Sequence, residues 1–425
     1  MRVLGLVFIV LAACGISNAN DAEYIPSVFG MQGFRLFADT KEKVDLLVRS
    51  EGQQGLDFLK MPRNEDGTFE VLVAPDRLSS FKSLMDYNEI RYEIFVDDVS
   101  KVLRAQDMQQ KMMRSFKAGG VSPNNRRFLR YSEMKAYMET LAQTRSDIVT
   151  LFNMGKSYEG RDLVGVKFSK GGQNKPALFI DAGIHAREWI APSTAIYIIK
   201  QLAEDPNSAD IFDKIDIYVL PSLNPDGYEF TQKSFVNRMW RKTRSRSRYA
   251  RCVGVDANRN FGMMWNTIGA SDDPCSDIYA GPEAFSEPEA KALRDFLESV
   301  RGTIKVYLSF HSYGQYLLHP WGFTTELPKN EPALRCAAEK AEAALSKVRG
   351  TRYTIGSSTN TLYAAAGGSD DWAMGKAGID LAYTVELPGG QYGFAPPPSD
   401  IIPVGKETFE AIKVFAKYVE GEICQ

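Results

Sequence analysis

Histidine is scarce in this chain: of 425 residues only His185, His311 and His319 carry an imidazole. The five cysteines form no Cys-x-x-Cys pair, which sets aside a zinc ribbon and thioredoxin-type redox chemistry. No Asn-x-Ser/Thr triplet occurs, so N-glycosylation is not expected. Nor does charge of one sign gather in a long block. The 51 Lys and Arg against 53 Asp and Glu leave a formal net charge of −2, which points to neither nucleic acid nor an anionic membrane surface as a partner. After residue 13 no apolar run is long enough to anchor the chain in a bilayer. Repeats and low-complexity segments are missing too, and nothing demands an obligate oligomer, so a monomer is expected.

What is present begins with a leader. Met1-Arg2, an apolar run over 3–13 and small or polar residues ending Ser17-Asn18-Ala19 have the pattern of a secretory signal peptide, with cleavage expected after Ala19 and the product secreted to the extracellular space. Cleavage removes Cys14. Cys252 and Cys275 then close a loop of roughly two dozen residues, worth on the order of 3 kcal/mol as a disulfide. Cys336 and Cys424 either pair or leave Cys336 as a buried thiol within a helix.

Residues 20–97 read as strand, helix, strand, strand, helix, strand, with Thr40 as a candidate helix cap and a turn at Asp66-Gly67. That order predicts a small ferredoxin-like α+β domain. Residues 98–120 are polar and helix-prone up to Phe116, then end in Ala118-Gly119-Gly120. They carry Lys101, Arg104, Lys111, Arg114 and Lys117, as a connecting helix open to a trypsin-like protease would. Residues 121–425 alternate strands, at 177–181, 216–220, 304–310 and 381–386, with amphipathic helices at 192–202, 287–300, 333–347 and 406–418. The prediction is an α/β domain with a buried sheet.

Three of those strands run into His185, His311 and Glu386, and sites in open α/β sheets lie beyond the carboxyl ends of the strands. His185 and Glu188 stand three residues apart after Gly183, which permits a sharp exit from the strand. With His311 they make a two-histidine, one-carboxylate set suited to zinc, with a coordination position left open. An open zinc site suits hydrolysis.

Seven ordered stretches carry a resemblance: His185-Ala186-Arg187-Glu188-Trp189, Asn224-Pro225-Asp226-Gly227-Tyr228, Trp240-Arg241-Lys242-Thr243-Arg244, Asp256-Ala257-Asn258-Arg259-Asn260-Phe261, His311-Ser312-Tyr313, Gly367-Gly368-Ser369-Asp370-Asp371-Trp372 and Val385-Glu386-Leu387. Together they resemble the pancreatic-type zinc carboxypeptidases across 121–425, and the earlier part resembles that family's activation domain. The resemblance implies a mixed twisted sheet flanked by helices, one zinc ion at His185, Glu188 and His311, and Glu386 as general base toward zinc-activated water. Arg241 would stabilise the oxyanion. Asn258, Arg259 and Tyr363 would clamp a substrate's terminal carboxylate, with Arg187 an accessory contact at the rim.

No His-Glu-x-x-His occurs, and a carboxylate clamp requires a peptide or protein with a free C-terminus. Asp370 takes the variable position of the family's Ser-x-Asp-Trp pattern, at the base of the side-chain pocket, where an acid implies C-terminal Lys or Arg. Gly322, often Ser in the basic-specific branch, and Pro388-Gly389-Gly390 depart from that pattern. The family further implies a zymogen activated by a trypsin-like protease, and the acidic turn Glu65-Asp66 is the expected blocker of Arg259 or its neighbours.

Overall fold

The computed structural model describes residues 27–62, 67–115, 127–173, 175–205, 210–247, 251–390 and 393–424. The leader with its cleavage site, Glu65-Asp66 and the segment 116–120 lie outside them.

Thr40 Oγ1 accepts the Lys43 N–H at 3.4 Å and starts the helix Lys41–Arg49. Strands β1 (Gln32–Phe37), β2 (Leu56–Lys60), β3 (Thr68–Val73) and β4 (Arg91–Val96) order as β2-β3-β1-β4, every pair antiparallel, which is the ferredoxin-like arrangement. Alternation turns Phe34, Leu36, Phe69, Val71 and Val73 onto the two helices, where they bury Val44, Leu47, Phe81 and Met85.

The helix Val99–Ser115 follows and is docked rather than free. Gln106 donates to Pro396 O at 2.9 Å and accepts from Arg238 Nε at 2.7 Å, while Arg104 lies over the rings of Phe29 and Phe235.

The second sheet has eight strands: β5 (Val149–Lys156), β6 (Asp162–Phe168), β7 (Ala177–Ala182), β8 (Asp216–Leu220), β9 (Ile304–Ser312), β10 (Tyr316–His319), β11 (Thr354–Ser357) and β12 (Leu381–Leu387). Their order is β11-β10-β12-β9-β7-β8-β6-β5. The run β8-β7-β9-β12 is parallel, while β5–β6, β6–β8 and β10–β12 are antiparallel, so the sheet is mixed. One face packs on the helices Tyr131–Thr144, Ile190–Glu204, Glu331–Arg349 and Ile401–Val419. The other packs on Pro288–Ser299 and Ser369–Gly375.

Period-two alternation decides which side chains reach which face. Leu381, Tyr383, Val385 and Leu387 of β12 enter the first core, leaving Thr384 and Glu386 on the thinner-covered face. Cys252 pairs with Cys275, as expected, and Cys336 pairs with Cys424, which resolves the alternative of a free thiol. Among the described residues no helix is long and apolar enough to cross a membrane.

Candidate metal centre and substrate cleft

β7 leaves the sheet at Gly183, whose φ of +67° suits glycine, and a Cβ there would fall 2.8 Å from Pro192 Cγ. The turn that follows presents His185 and Glu188 just ahead of the helix Ile190–Glu204. Asn224 holds it in place: its amide donates to Ile184 O at 3.1 Å and to Lys242 O at 3.0 Å, tying the turn to the Arg241 segment. His311 arrives from the end of β9, and Glu386 is its register partner on β12.

These elements bring three donors together. His185 Nδ1 lies 2.8 Å from Glu188 Oε1 and 3.2 Å from His311 Nδ1, and His311 Nδ1 lies 3.3 Å from Glu188 Oε2. Donors around a tetrahedral zinc stand about 3.3 Å apart. All three side chains are buried, and both outer ring nitrogens are engaged, His185 Nε2 with Asp256 Oδ1 at 3.1 Å and His311 Nε2 with Ser309 Oγ at 3.1 Å. The inner lone pairs therefore converge on one point, and the set fits zinc.

Electrostatics follow from burial. Burial disfavours a charged Glu188, but His185 and His311 outweigh it and hold the carboxyl below its usual range. Glu386 is pushed up to about 8, chiefly by burial, against the pull of His311 and Arg241, and its Oε2 is buried without a partner.

Asp256 organises the other wall. Its Oδ1 meets His185 and accepts the Asn258 N–H, and its Oδ2 accepts from Arg241 Nε at 3.1 Å and Nη2 at 2.8 Å. Burial opposes the charge on Arg241, yet Asp256 raises its pKa above the ordinary arginine value. Arg259 donates from Nε to Gly269 O at 2.7 Å and from Nη2 to the Tyr363 hydroxyl at 3.4 Å. Asn258 Oδ1 accepts the Ser369 N–H at 2.9 Å, joining the clamp residues to the segment that carries Asp370.

Asp370 is buried. Its Oδ2 accepts from Thr384 Oγ1 at 3.2 Å and its Oδ1 from the Asp371 N–H at 2.9 Å. A Cβ on Gly368 would lie 2.9 Å from Asp370 Oδ1 and 3.9 Å from Asn258 Oδ1, which puts the acid beside the clamp. At Gly322 a Cβ would come 2.6 Å from Ala365 O, so serine would require a backbone shift there.

In the zymogen the small domain covers Arg187, which is expected to contact substrate at the rim of the mature cleft. Arg187 is 2% exposed, its Nη1 and Nη2 donate to Asp57 of β2 at 2.5 and 3.0 Å, and its guanidinium lies 4.2 Å from the Phe394 ring centroid. The expected blocker, Glu65-Asp66, lies outside the described residues. Among the described residues Asp57 holds Arg187, Glu70 of β3 accepts from the Tyr313 hydroxyl at 2.7 Å, and Glu51 lies in the field of Arg259 and Arg241. Phe58, Leu59, Lys60 and Met61 complete the lid over His185, Glu188, His311 and Glu386. Sequence reasoning gave no role to Asp256, Asp57 or Glu70; for Asp256 a signal existed in its place two residues before Asn258.

A buried donor triad at the carboxyl ends of parallel strands, covered by a separate small domain, defines a metallohydrolase precursor. Residues 134–411 match the zinc carboxypeptidase family model and 34–106 match the carboxypeptidase activation peptide. The chain is 51% identical over 295 residues to carboxypeptidase B of Astacus astacus, covering 68% of this chain and 96% of that protein. It is 38% identical over 400 residues to zinc carboxypeptidase A 1 of Drosophila melanogaster, covering 91% of each. The crystal structure of carboxypeptidase A from Helicoverpa armigera superposes with a TM-score of 0.88 at 30% identity, over 94% of this chain and 99% of that one. The chain belongs to the zinc carboxypeptidase family. It is the zymogen of an enzyme of the A/B type.

Proposed function

We propose that the matured enzyme removes C-terminal Lys and Arg from peptides and proteins with a free C-terminus. The observation that carries this reading is Asp370: a buried carboxylate beside Asn258 whose two hydrogen-bond partners, Thr384 and the Asp371 amide, carry no charge. A cationic side chain would supply the missing counter-charge. A neutral one would leave the acid uncompensated at a cost of about 2–5 kcal/mol.

His185, Glu188 and His311 would hold the zinc, which when bound supplies a Lewis acid for the scissile carbonyl and acidifies water. Glu386, with one oxygen unpaired and its pKa raised by burial, takes the proton from the attacking water and returns it to the leaving amine. Arg241, kept charged by Asp256, faces the negative charge that develops on the carbonyl oxygen. Arg259, Tyr363 and Asn258 grip the terminal carboxylate, and Arg187 contacts the chain upstream of the cut once Asp57 has left.

In the zymogen, the small domain covers the cleft and a trypsin-like protease cuts within 98–120. Lys101, Arg104, Lys111 and Arg114 lie in helical backbone that a protease must unwind; Lys117 lies outside the described residues. We read the chain as a secreted monomer. A second reading, A-type preference, is favoured by Gly322, where the basic-specific branch often has Ser. Matched peptides ending in Arg, Lys, Phe and Leu, offered after trypsin treatment with and without a chelator, decide between the two. Chelator-sensitive release of Arg and Lys far above Phe supports the first, and Phe or Leu at or above Arg discards it.

A further inference from the structure

Behind the metal centre lies a layer of polar side chains that the proposed reaction does not use. In the parallel register Asp181 of β7 stands opposite Ser309 of β9, and Ser309 stands opposite Thr384 of β12. Tyr307, Ser309 and His311 alternate along β9, so all three share the face that carries the metal centre. Asp181, Tyr307 and Ser309 are fully buried.

The hydrogen bonds within this layer have a direction. Ser309 Oγ donates to Asp181 Oδ1 at 2.8 Å, and the Tyr307 hydroxyl donates to Asp181 Oδ2 at 2.5 Å. A serine hydroxyl has one hydrogen, which here is spent on the carboxylate. Toward His311 Nε2, 3.1 Å away, Ser309 can only accept. His311 must therefore carry its proton on Nε2, and Nδ1 is left with a free lone pair aimed at His185 and Glu188. Without Asp181 the serine hydrogen is free to turn toward His311 Nε2, which would move the ring proton to Nδ1 and block that lone pair.

We propose that Asp181, acting through Ser309 and with Tyr307 bracing its second oxygen, is the positioning residue that fixes the tautomer and orientation of His311 for zinc, the counterpart of Asp256 behind His185. This rests on the assignment of His185, Glu188 and His311 as the zinc set. Partners of this kind behind a metal-binding histidine typically change metal affinity roughly 10- to 100-fold.

The test uses the full-length chain loaded with zinc. Zinc release into a chromogenic chelator is followed for wild type, Asp181→Asn, Ser309→Ala, Tyr307→Phe and His311→Ala, with circular dichroism as a check of fold and the visible spectrum of the cobalt-substituted protein as a second readout. Ser309→Ala and Asp181→Asn are expected to release zinc roughly 10- to 100-fold faster and to shift the cobalt bands, with Tyr307→Phe changed in the same direction by less. Should Asp181→Asn fail to fold, Ser309→Ala and Tyr307→Phe decide the matter. Folded Ser309→Ala with zinc release and cobalt bands within twofold of wild type overturns the proposal, provided His311→Ala loses zinc. If His311→Ala itself keeps zinc, the ligand set fails first, and the inference falls with it.

Discussion

Asp57→Asn is the sharpest probe of how the small domain keeps the cleft closed. Arg187 is 2% exposed and donates both of its short ionic hydrogen bonds to Asp57, at 2.5 and 3.0 Å. Removing one partner of a buried pair costs about 3–5 kcal/mol, because the other charge is left uncompensated. Two features reduce that here. Asparagine keeps one oxygen acceptor, and the Phe394 ring still lies 4.2 Å below the guanidinium.

The expected weakening of docking is about 2–3 kcal/mol, or roughly 30- to 150-fold in the population of undocked zymogen. The assay is chelator-sensitive hydrolysis of a small C-terminal substrate by uncleaved zymogen. It should rise by that factor in the variant. After trypsin maturation the two enzymes should be identical, since position 57 has been removed with the small domain. Uncleaved Asp57→Asn with activity within twofold of wild type would refute the argument that this ion pair holds the lid.

Three further outcomes are expected. Glu386→Gln should lower kcat by about 10²–10⁴ with little change in KM, since it removes proton transfer and not binding, and a loss confined to KM would reassign the residue. Glu51 is pushed up to about 7 from 4.5, mainly by burial and against the pull of Arg259 and Arg241. The docked form thus holds an extra proton between pH 4.5 and about 7, so docking weakens as pH rises through that window and levels off above it. Trypsin activation should speed up correspondingly and Glu51→Gln should flatten the trend; an unchanged pH dependence in the variant counts against it. Replacing Cys336 and Cys424 by serine opens a loop of 88 residues, worth about 4–5 kcal/mol. Melting should fall by about 10 °C, and a shift under about 3 °C would mean that the loop is held by packing instead.

Much of this protein is local in origin and was legible from the chain alone. Thr40 caps its helix because a hydroxyl can reach the Lys43 amide within one turn, and the six-element order of the small domain follows from apolar spacing that switches between periods of two and near four. The apolar runs of β7, β9 and β12 had to be strands, and rare polar residues at their ends had to meet where those ends meet. Other features depend on residues far apart in sequence. Asp256 serves His185 across 71 residues, and Asp57 reaches Arg187 across 130. Asp57 and Glu70 sit in strands whose pattern marks only which face is buried, not what will dock on it.

The edge strands β5 and β11 are partly exposed, so their patterns are weak, β10 is only 4 residues long, and the pairing of Cys336 with Cys424 depends on how the last helix packs. The polar row of Asp181, Ser309 and Thr384 is visible only once the strand order is known. By itself the sequence determined the elements, the zinc-ligand candidates and the family, because those depend on neighbours within a turn or a strand. Only the tertiary structure decided which acid holds each arginine and which carboxylate stands behind each histidine, because strand order and domain docking choose those partners.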